Sequence, residues 1–373
     1  MQTPQPTNSR LYTGQVVYIY AFDLAYDMKR QQLPELLGEP IQDYCIGPSK
    51  RSPKQLFFYR PQMVVLPPVL REGSAGTVEI RRSIKIFNIG AVSIQFCVPF
   101  GVDKLEDLVA YHDLDFVSGP VRQEASQLAE QALNQLRPYC VRAVPYLGPP
   151  EDYTVFCLYQ LPQAGNYGIH AEDWLKENTS QVAALLTQEQ DAAHLSAQEA
   201  AESTQQYLTY YYSDLVVVDW DAALVVGEQD SLNDILHIME LANVQLVELE
   251  AYDRLLDASL DAVYRDLAKR SRHVSRQIQQ NLREIRVDLA RLSDELLNIT
   301  KFFGDWHLAR IYRNLSGRFH LADWHGIMRE KLKTLGDLYQ LLQQDSVNFW
   351  MVLLETTIVL LFIIDVVLLL TRS

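Results

Sequence analysis

The sequence is short of cysteine and of cations. Its four cysteines, Cys45, Cys97, Cys140 and Cys157, are far apart and form no closely spaced pair. This spacing argues against a zinc site and against the disulfide framework of a small secreted domain, so we expect free thiols in a reducing compartment. Lysine and arginine number 33 against 47 acidic residues, a net charge of −14. Because phosphate binding needs clustered cations, we do not expect nucleic acid as a partner.

The chain also lacks the short motifs that mark common enzyme and metal sites. It contains no phosphate-binding loop, GxGxxG turn, HExxH pair or GxSxG elbow. Asp219 and Asp221 flank Trp220, but the residues that follow do not continue a calcium-binding loop. His320 and His325 are five positions apart, which places them on different faces of a helix. We therefore expect no catalytic activity, cofactor or metal site. An enzyme with an unrecognised site in the front domain is a separate hypothesis.

One long hydrophobic run is present, VNFWMVLLETTIVLLFIIDVVLLL at residues 347–370. At about 1.5 Å per residue, a helix of this length reaches about 36 Å, enough to cross a hydrocarbon core of ~30 Å. The apolar residues outweigh the cost of two acids, Glu355 and Asp365, by a narrow margin. The run predicts a single C-terminal transmembrane anchor; the alternative is a buried core helix.

The residues around this run predict an orientation and an assembly. Arg329, Lys331 and Lys333 precede it, and the positive-inside rule then places the N-terminal domain in the cytoplasm. We expect a single-pass protein of the cell (inner) membrane, with membrane lipid as a partner. Because acids are costly in a bilayer, Glu355 and Asp365 are candidates for an assembly or functional role in a homo-oligomer.

The patterning in front of the run divides the chain into segments. Apolar alternation and helical spacing are mixed at first and become helical alone after Ser231. We predict a disordered tail at 1–10, a front domain at 11–186, a linker or exposed helix at 187–206, a β-hairpin segment completing that domain at 207–230, and coiled-coil-like helices at 231–346. No signal or transit peptide is expected at the N-terminus. The predicted fold class is α+β: a mixed-sheet domain, a long antiparallel helical hairpin and one transmembrane helix.

Two hairpins and a helical seam support this division. Residues 79–87 and 91–98 are predicted strands around Gly90, and Tyr207–Tyr212 and Leu215–Trp220 are predicted strands around Ser213-Asp214. An apolar seam from Ile278 to Phe303 predicts packing against another helix, in this chain or in a partner. The alternative is a helix that packs only on its own α+β domain.

A basic stretch in the helical region is a candidate interaction patch. It comprises Lys269, Arg272, Arg276, Arg283 and Arg286. Clustered cations of this kind bind RNA, a ribosome or anionic lipid. The alternatives are that these cations pair with the acidic front domain or lie on a solvated helix face. No aromatic residues that could stack on bases are interleaved with the cations, and this absence favours the alternatives.

The rear of the chain, from Tyr207 to Leu370, resembles the Required for Meiotic Nuclear Division family. The resemblance is carried by the hairpin YYYSDLVVVDW, by the helix ELANVQLVELEAYDRLL, and by Glu355 preceding Asp365 by ten residues, as paired acids do in the family's terminal helix. Asp214 departs from the family's turn glycine. Eukaryotic members are mitochondrial inner-membrane proteins that support translation, so the resemblance implies a protein or ribosome-associated partner. Because no mitochondrial leader is expected in this chain, the resemblance is to a bacterial-type member.

These features predict a membrane-anchored scaffold or tether without enzymatic activity. The alternative is an oligomeric channel or transport component that uses the acids of its single span. Oligomer size in detergent and the presence of an ion current distinguish these two functions.

Overall fold

A computed structural model describes residues 11–29, 31, 33–44, 61–73, 76–114, 116–162, 170–268, 283, 287 and 306–371. The chain divides into two compact units. The first unit contains Met1–Glu248 and Leu297–Ala322, and the second contains Leu249–Leu296 and Asp323–Ser373.

The first unit is built on a mixed β-sheet. In the described residues its strands are β1 (Tyr12–Asp23), β2 (Ala25–Met28), β3 (Glu35–Leu36), β4 (Glu39–Pro40), β5 (Gln42–Asp43), β6 (Gln62–Gly73), β7 (Gly76–Ile86), β8 (Ala91–Val102), β9 (Cys140–Ala143), β10 (Glu151–Leu158), β11 (Tyr207–Leu208), β12 (Leu215–Val218) and β13 (Ala222–Val226). Nine of these form one sheet in the order β11-β12-β13-β10-β1-β8-β7-β6-β5. The β10–β13 pair is parallel and the other pairs are antiparallel, so the predicted mixed sheet of an α+β fold is confirmed.

Helices alternate with strands after β8, and the described residues after β13 are helical apart from short connections. The described helices are α1 (Val121–Leu136), α2 (Ala171–Glu177), α3 (Thr179–Leu186), α4 (Ala197–Thr204), α5 (Gln229–Ala268), α6 (Trp306–Arg318) and α7 (Leu321–Thr371). Short 3₁₀ turns lie at Glu106–Tyr111, Arg137–Tyr139 and Ala192–His194.

The two faces of the sheet differ in polarity. On β1, alternate residues Val16, Tyr18, Tyr20 and Phe22 enter the main hydrophobic core, which also contains the apolar face of α1. The opposite face carries buried polar residues, including Gln15, Lys85, Ser93 and Gln95. Helix α5 packs on this second face, because Lys85 pairs with Glu240 and the Asn243 amide donates to the Glu151 carbonyl over 2.9 Å.

The hairpin predicted around Gly90 is present as β7 and β8. Gly90 has φ +100°, and a Cβ at this position would lie 1.8 Å from the Ala25 carbonyl oxygen. The Gly90 carbonyl accepts from the N–H groups of Leu24 and Ala25 at 2.9 and 3.1 Å. A glycine is therefore required by both the backbone angle and the close approach of β2.

The second predicted hairpin differs from the structure at its first strand. Strand β11 contains only Tyr207 and Leu208, whereas the prediction extended it to Tyr212. Tyr210 and Tyr211 donate their backbone N–H groups to the Asp214 carboxylate, at 2.7 and 3.0 Å, and not to a neighbouring strand. The side chain of Asp214 thereby ends the strand and creates a loop.

In the second unit, residues of α5 and α7 form a helical core. Leu256 and Val263 of α5 are seven residues apart, and Met328, Leu332 and Leu335 of α7 follow the same helical spacing; all five are buried. The Lys331 ammonium lies 2.7 Å from carboxylate oxygens of both Asp253 and Asp257. The predicted seam from Ile278 to Phe303 lies outside the described residues.

The predicted transmembrane helix at 347–370 has no support from the structure. Among the helices described, none is long and apolar enough to cross a membrane.

Candidate functional site

The loop between β11 and β12 presents three consecutive tyrosines to solvent. Tyr210, Tyr211 and Tyr212 are 62, 68 and 80% exposed. Asp214 holds the loop from one side, and the Tyr212 carbonyl accepts from the Ala171 N–H over 2.8 Å at the start of α2. Exposed aromatic rings held in a fixed loop are typical of a binding surface.

The tyrosine rings pack edge to face with each other and with two histidines. Tyr210 and Tyr211 have centroids 4.7 Å apart and planes at 84°, and Tyr212 and His170 are 4.7 Å apart at 88°. Tyr210 also contacts His307 of α6, with centroids 5.3 Å apart. In an edge-to-face pair the edge of one ring covers one face of the other, and the high exposure of the three tyrosines leaves their remaining ring surface open to solvent.

These rings line two clefts. The larger cleft has a volume of about 820 Å³ and reaches the start of α5 and of α6. Its apolar wall is formed by Val216, Val226, Ile235 and Leu308. The smaller one, of about 510 Å³, extends toward α2. Both volumes lie within the range of about 300–1,000 Å³ that is usual for ligand pockets.

The charge around the clefts is acidic. Asp214, Glu228 and Asp234 line the larger cleft, and Glu172 and Asp173 line the smaller one. Among the described residues that line either cleft there is no lysine or arginine. Glu228 directly precedes α5, so its carboxylate offsets the positive end of that helix. We name this surface, with its two clefts, the tyrosine cleft.

A second cluster of ionisable groups lies between β7 and α5. The Lys85 ammonium contacts the Glu240 carboxylate, and their side chains are 4 and 0% exposed. Lys85 also lies 4.1 Å from the centre of the Tyr44 ring, and His237 Nδ1 is 3.7 Å from Glu240 Oε2. The cluster joins residues that are 155 positions apart in the sequence.

Burial and charge set the protonation of this cluster. Burial, then the charge of Lys85, lowers the pKa of His237, so the imidazole is neutral. Burial alone would raise the pKa of Glu240, but Lys85 and His237 outweigh it and the pKa of this carboxyl is lowered. The buried Lys85–Glu240 pair, with the neutral His237 beside it, holds α5 on the sheet. Because these side chains are buried, a ligand in solvent cannot reach them.

None of the predicted site residues that the structure describes lines the tyrosine cleft. Glu355 and Asp365 are exposed on α7, and ten helical residues separate them by about 15 Å along the axis. Arg283 is exposed, while Lys269, Arg272, Arg276 and Arg286 lie outside the described residues. Within the described part of the chain, no group of three His, Cys, Asp or Glu side chains could hold a metal ion.

The end of α7 has an apolar surface on all sides. Every large apolar side chain from Met351 to Ile364 is exposed, at 43–70%. Residues 358–364 are consecutive, so they cover two full turns of the helix. The hydroxyls of Thr356 and Thr357 donate to the carbonyls of Val352 and Leu353, both at 2.7 Å, which satisfies them within the helix.

The sequence contained a signal for the tyrosine cleft that a strand prediction hides. Three adjacent aromatic residues with an acid two to four positions later are compatible with a strand or with an Asp-bound loop. Only the bonds from Tyr210 and Tyr211 to Asp214 distinguish the two. His170, Glu228 and His307 come from distant segments, and their convergence has no local signal.

Comparisons with known proteins agree on one family. A family model described as the N-terminal domain of the uncharacterized protein MJ0711 matches residues 13–232, a range that includes the tyrosine loop. The uncharacterized protein MJ0711 of Methanocaldococcus jannaschii is 24% identical over 247 residues, which cover 66% of this chain and 72% of that relative. No solved structure matches the chain. The resemblance to the Required for Meiotic Nuclear Division family is not confirmed by these findings.

Proposed function

The chain belongs to the family of the N-terminal domain of the uncharacterized protein MJ0711, and we propose that it is a membrane-anchored tether without catalytic activity. In this proposal α7 contacts the membrane and the tyrosine cleft holds a partner. The family's description states no activity, so the proposal is drawn from the surfaces of this chain.

The apolar end of α7 is the observation that carries the proposal. Contiguous exposed apolar surface of this kind is rare on a monomer in water, and burying each large side chain contributes about 1.5–3 kcal/mol. The sequence continues this apolar character over the whole run 347–370. Lipid is the occupant that can cover all sides of one helix at once. We propose a single-pass protein of the cell (inner) membrane, with its N-terminal domain in the cytoplasm.

The partner side of the tether is assigned to the tyrosine cleft. Its clefts have the volume of binding sites and its aromatic rings are exposed. A protein partner, including one associated with the ribosome, is the expected occupant of such a surface.

Membrane retention tests the proposal. Membranes from cells expressing the full chain are washed with alkaline carbonate, which we expect to leave the protein in the pellet. The double variant Leu360→Arg/Ile363→Arg places two cations in the apolar run, each costing about 2.5–3.5 kcal/mol at the centre of a bilayer. We expect this variant to move to the supernatant.

A matched pair of substitutions controls for added charge. Leu255→Arg/Ile327→Arg changes two exposed apolar side chains outside the run and should stay in the pellet. Release of the unaltered chain by carbonate, or retention of the Leu360/Ile363 variant, would refute the anchor. Protease added to intact spheroplasts should leave the N-terminal domain uncut, and its digestion there would refute the proposed orientation.

A further inference from the structure

We infer that the tyrosine cleft binds a cationic side chain, the guanidinium or ammonium group of a basic segment in a partner protein. The inference rests on the tether function proposed above, because it names the chemistry of the tether's partner.

The ring geometry suits a cation. A guanidinium or ammonium group is attracted to the face of an aromatic ring when it lies within about 6 Å of the ring centre. The corners formed by Tyr210 with Tyr211 and by Tyr212 with His170 leave ring faces accessible, because the three tyrosines are at least 62% exposed. The fold makes the same contact elsewhere: Lys85 lies 4.1 Å from the Tyr44 ring centre, and Arg142 lies 5.4 Å from that of Tyr26.

The surrounding charge selects the same ligand. The acids of the two clefts, Glu172, Asp173, Asp214, Glu228 and Asp234, attract a cation and repel a phosphate or a carboxylate. Asp173 already binds one ammonium, that of Lys176, at 3.1 Å. Stacking of a nucleic-acid base on the tyrosines is disfavoured, because its phosphates would face these carboxylates.

The shape favours a peptide. The tyrosine rings line both clefts, of about 820 and 510 Å³, so one extended segment with two basic side chains can occupy both. The apolar wall of the larger cleft can cover the methylene stem of an arginine or lysine while the charged group meets the rings and acids. A free organic cation has the charge but not this second anchor.

The experiment measures binding of the detergent-solubilised full chain to a labelled peptide by fluorescence anisotropy. The probe is a nine-residue Gly/Ser peptide with two arginines, and its matched control carries citrulline, which is isosteric but neutral, at both positions. We expect the arginine peptide to bind roughly tenfold more tightly than the citrulline peptide, with affinity falling as salt rises.

Substitutions in the loop separate the ring face from the hydroxyl. Tyr210→Leu/Tyr211→Leu removes two ring faces and should weaken binding roughly tenfold. Tyr210→Phe/Tyr211→Phe keeps both faces and should stay within about threefold of the unaltered chain. Tyr146→Leu, at an exposed tyrosine outside the clefts, should change nothing. Because all these side chains are exposed, melting temperatures should match that of the unaltered chain.

Several outcomes would overturn the inference. These are equal affinity for the citrulline peptide, an equal loss in the Phe and Leu variants, or tighter binding of a phosphoserine peptide of the same length. Displacement of the peptide by spermidine at equal concentration would show that a small organic cation suffices and would overturn the assignment to a peptide. Membrane retention is measured separately, so loss of peptide binding with retention intact refutes this inference and leaves the anchor standing.

Discussion

At the scale of single residues, His325 shows how burial changes a titration. Its side chain in α7 is 5% exposed, and burial, then the charge of Arg329, lowers its pKa to about 4 from an ordinary value of 6.5. The imidazole is therefore neutral in the folded chain at pH 5, whereas it is protonated in the unfolded chain. The unfolded state binds more protons between these two values, so the contribution to stability is complete above pH 6.5 and is lost as the pH falls toward 4.

This loss of stability at low pH predicts the behaviour of a variant without His325. Replacing His325 with Leu removes the titrating group, so the drop in melting temperature between pH 7.5 and pH 5 should shrink by about 2 °C, after allowance for solvent screening. The measurement is thermal melting of the full chain in detergent at both pH values. His194→Leu, at an exposed histidine, serves as the control and should melt like the unaltered chain. An unchanged pH dependence in His325→Leu would contradict the prediction.

At the scale of elements, α5 is unusual because its N-terminal half is buried on every side. Residues 235–249 are all buried, and they include the polar side chains of His237, Glu240, Asn243, Gln245 and Glu248. A helix in this position needs partners for its polar groups, and Asn243 finds one in the Glu151 carbonyl and Gln245 in the Tyr312 hydroxyl. Glu240 finds its partner in Lys85 across the sheet.

The Lys85–Glu240 pair leads to a stability prediction for α5. Glu240→Leu leaves the Lys85 ammonium buried without its partner and should lower the free energy of unfolding by about 3–5 kcal/mol. The double variant Lys85→Met/Glu240→Leu removes both charges and should recover most of this loss. The measurement is chemical denaturation of the full chain. Glu250→Leu/Arg254→Leu, a more exposed pair, should change the free energy by less than about 1 kcal/mol. Equal losses in the single and double variants would contradict the pairing.

At the scale of the whole molecule, the proposed anchor raises the question of assembly. Glu355 is an acid in an apolar surface, and a span that stayed monomeric in lipid would be more stable without it. We propose that copies of α7 contact each other through this carboxyl, which gives the expected homo-oligomer. The alternative is that Glu355 lines an ion pathway in an oligomeric channel.

The two roles of Glu355 predict different results. Glu355→Gln keeps a hydrogen-bonding group and should preserve the oligomer, whereas Glu355→Leu removes it and should shift the chain toward monomer. Chemical crosslinking in detergent measures the oligomer, and Thr357→Val provides a control because its hydroxyl is already bonded to the Leu353 carbonyl. Intact oligomers in both variants with loss of an ion current would favour the channel, and no change in either measurement would refute both roles.

Local sequence patterns determined the fold class of this protein. The apolar run in β1, the alternating apolar residues in β7 and β8 and the helical spacing after Ser231 each depend on neighbours a few positions apart, so the α+β mixture and the Gly90 hairpin could be predicted. The same reasoning extended β11 through Tyr212, because alternation and aromatic content cannot distinguish a strand from a loop held by one aspartate.

Tertiary structure alone decided where the chemistry of the chain is brought together. Lys85 and Glu240 are 155 positions apart, and the tyrosine cleft assembles His170, Tyr210, Glu228 and His307 from four segments. Such contacts depend on sheet order and helix placement, which many sequences can satisfy with different residues. The hydrophobic pattern therefore determined which segments are buried, and the packing of those segments determined which charges are paired and which rings face solvent.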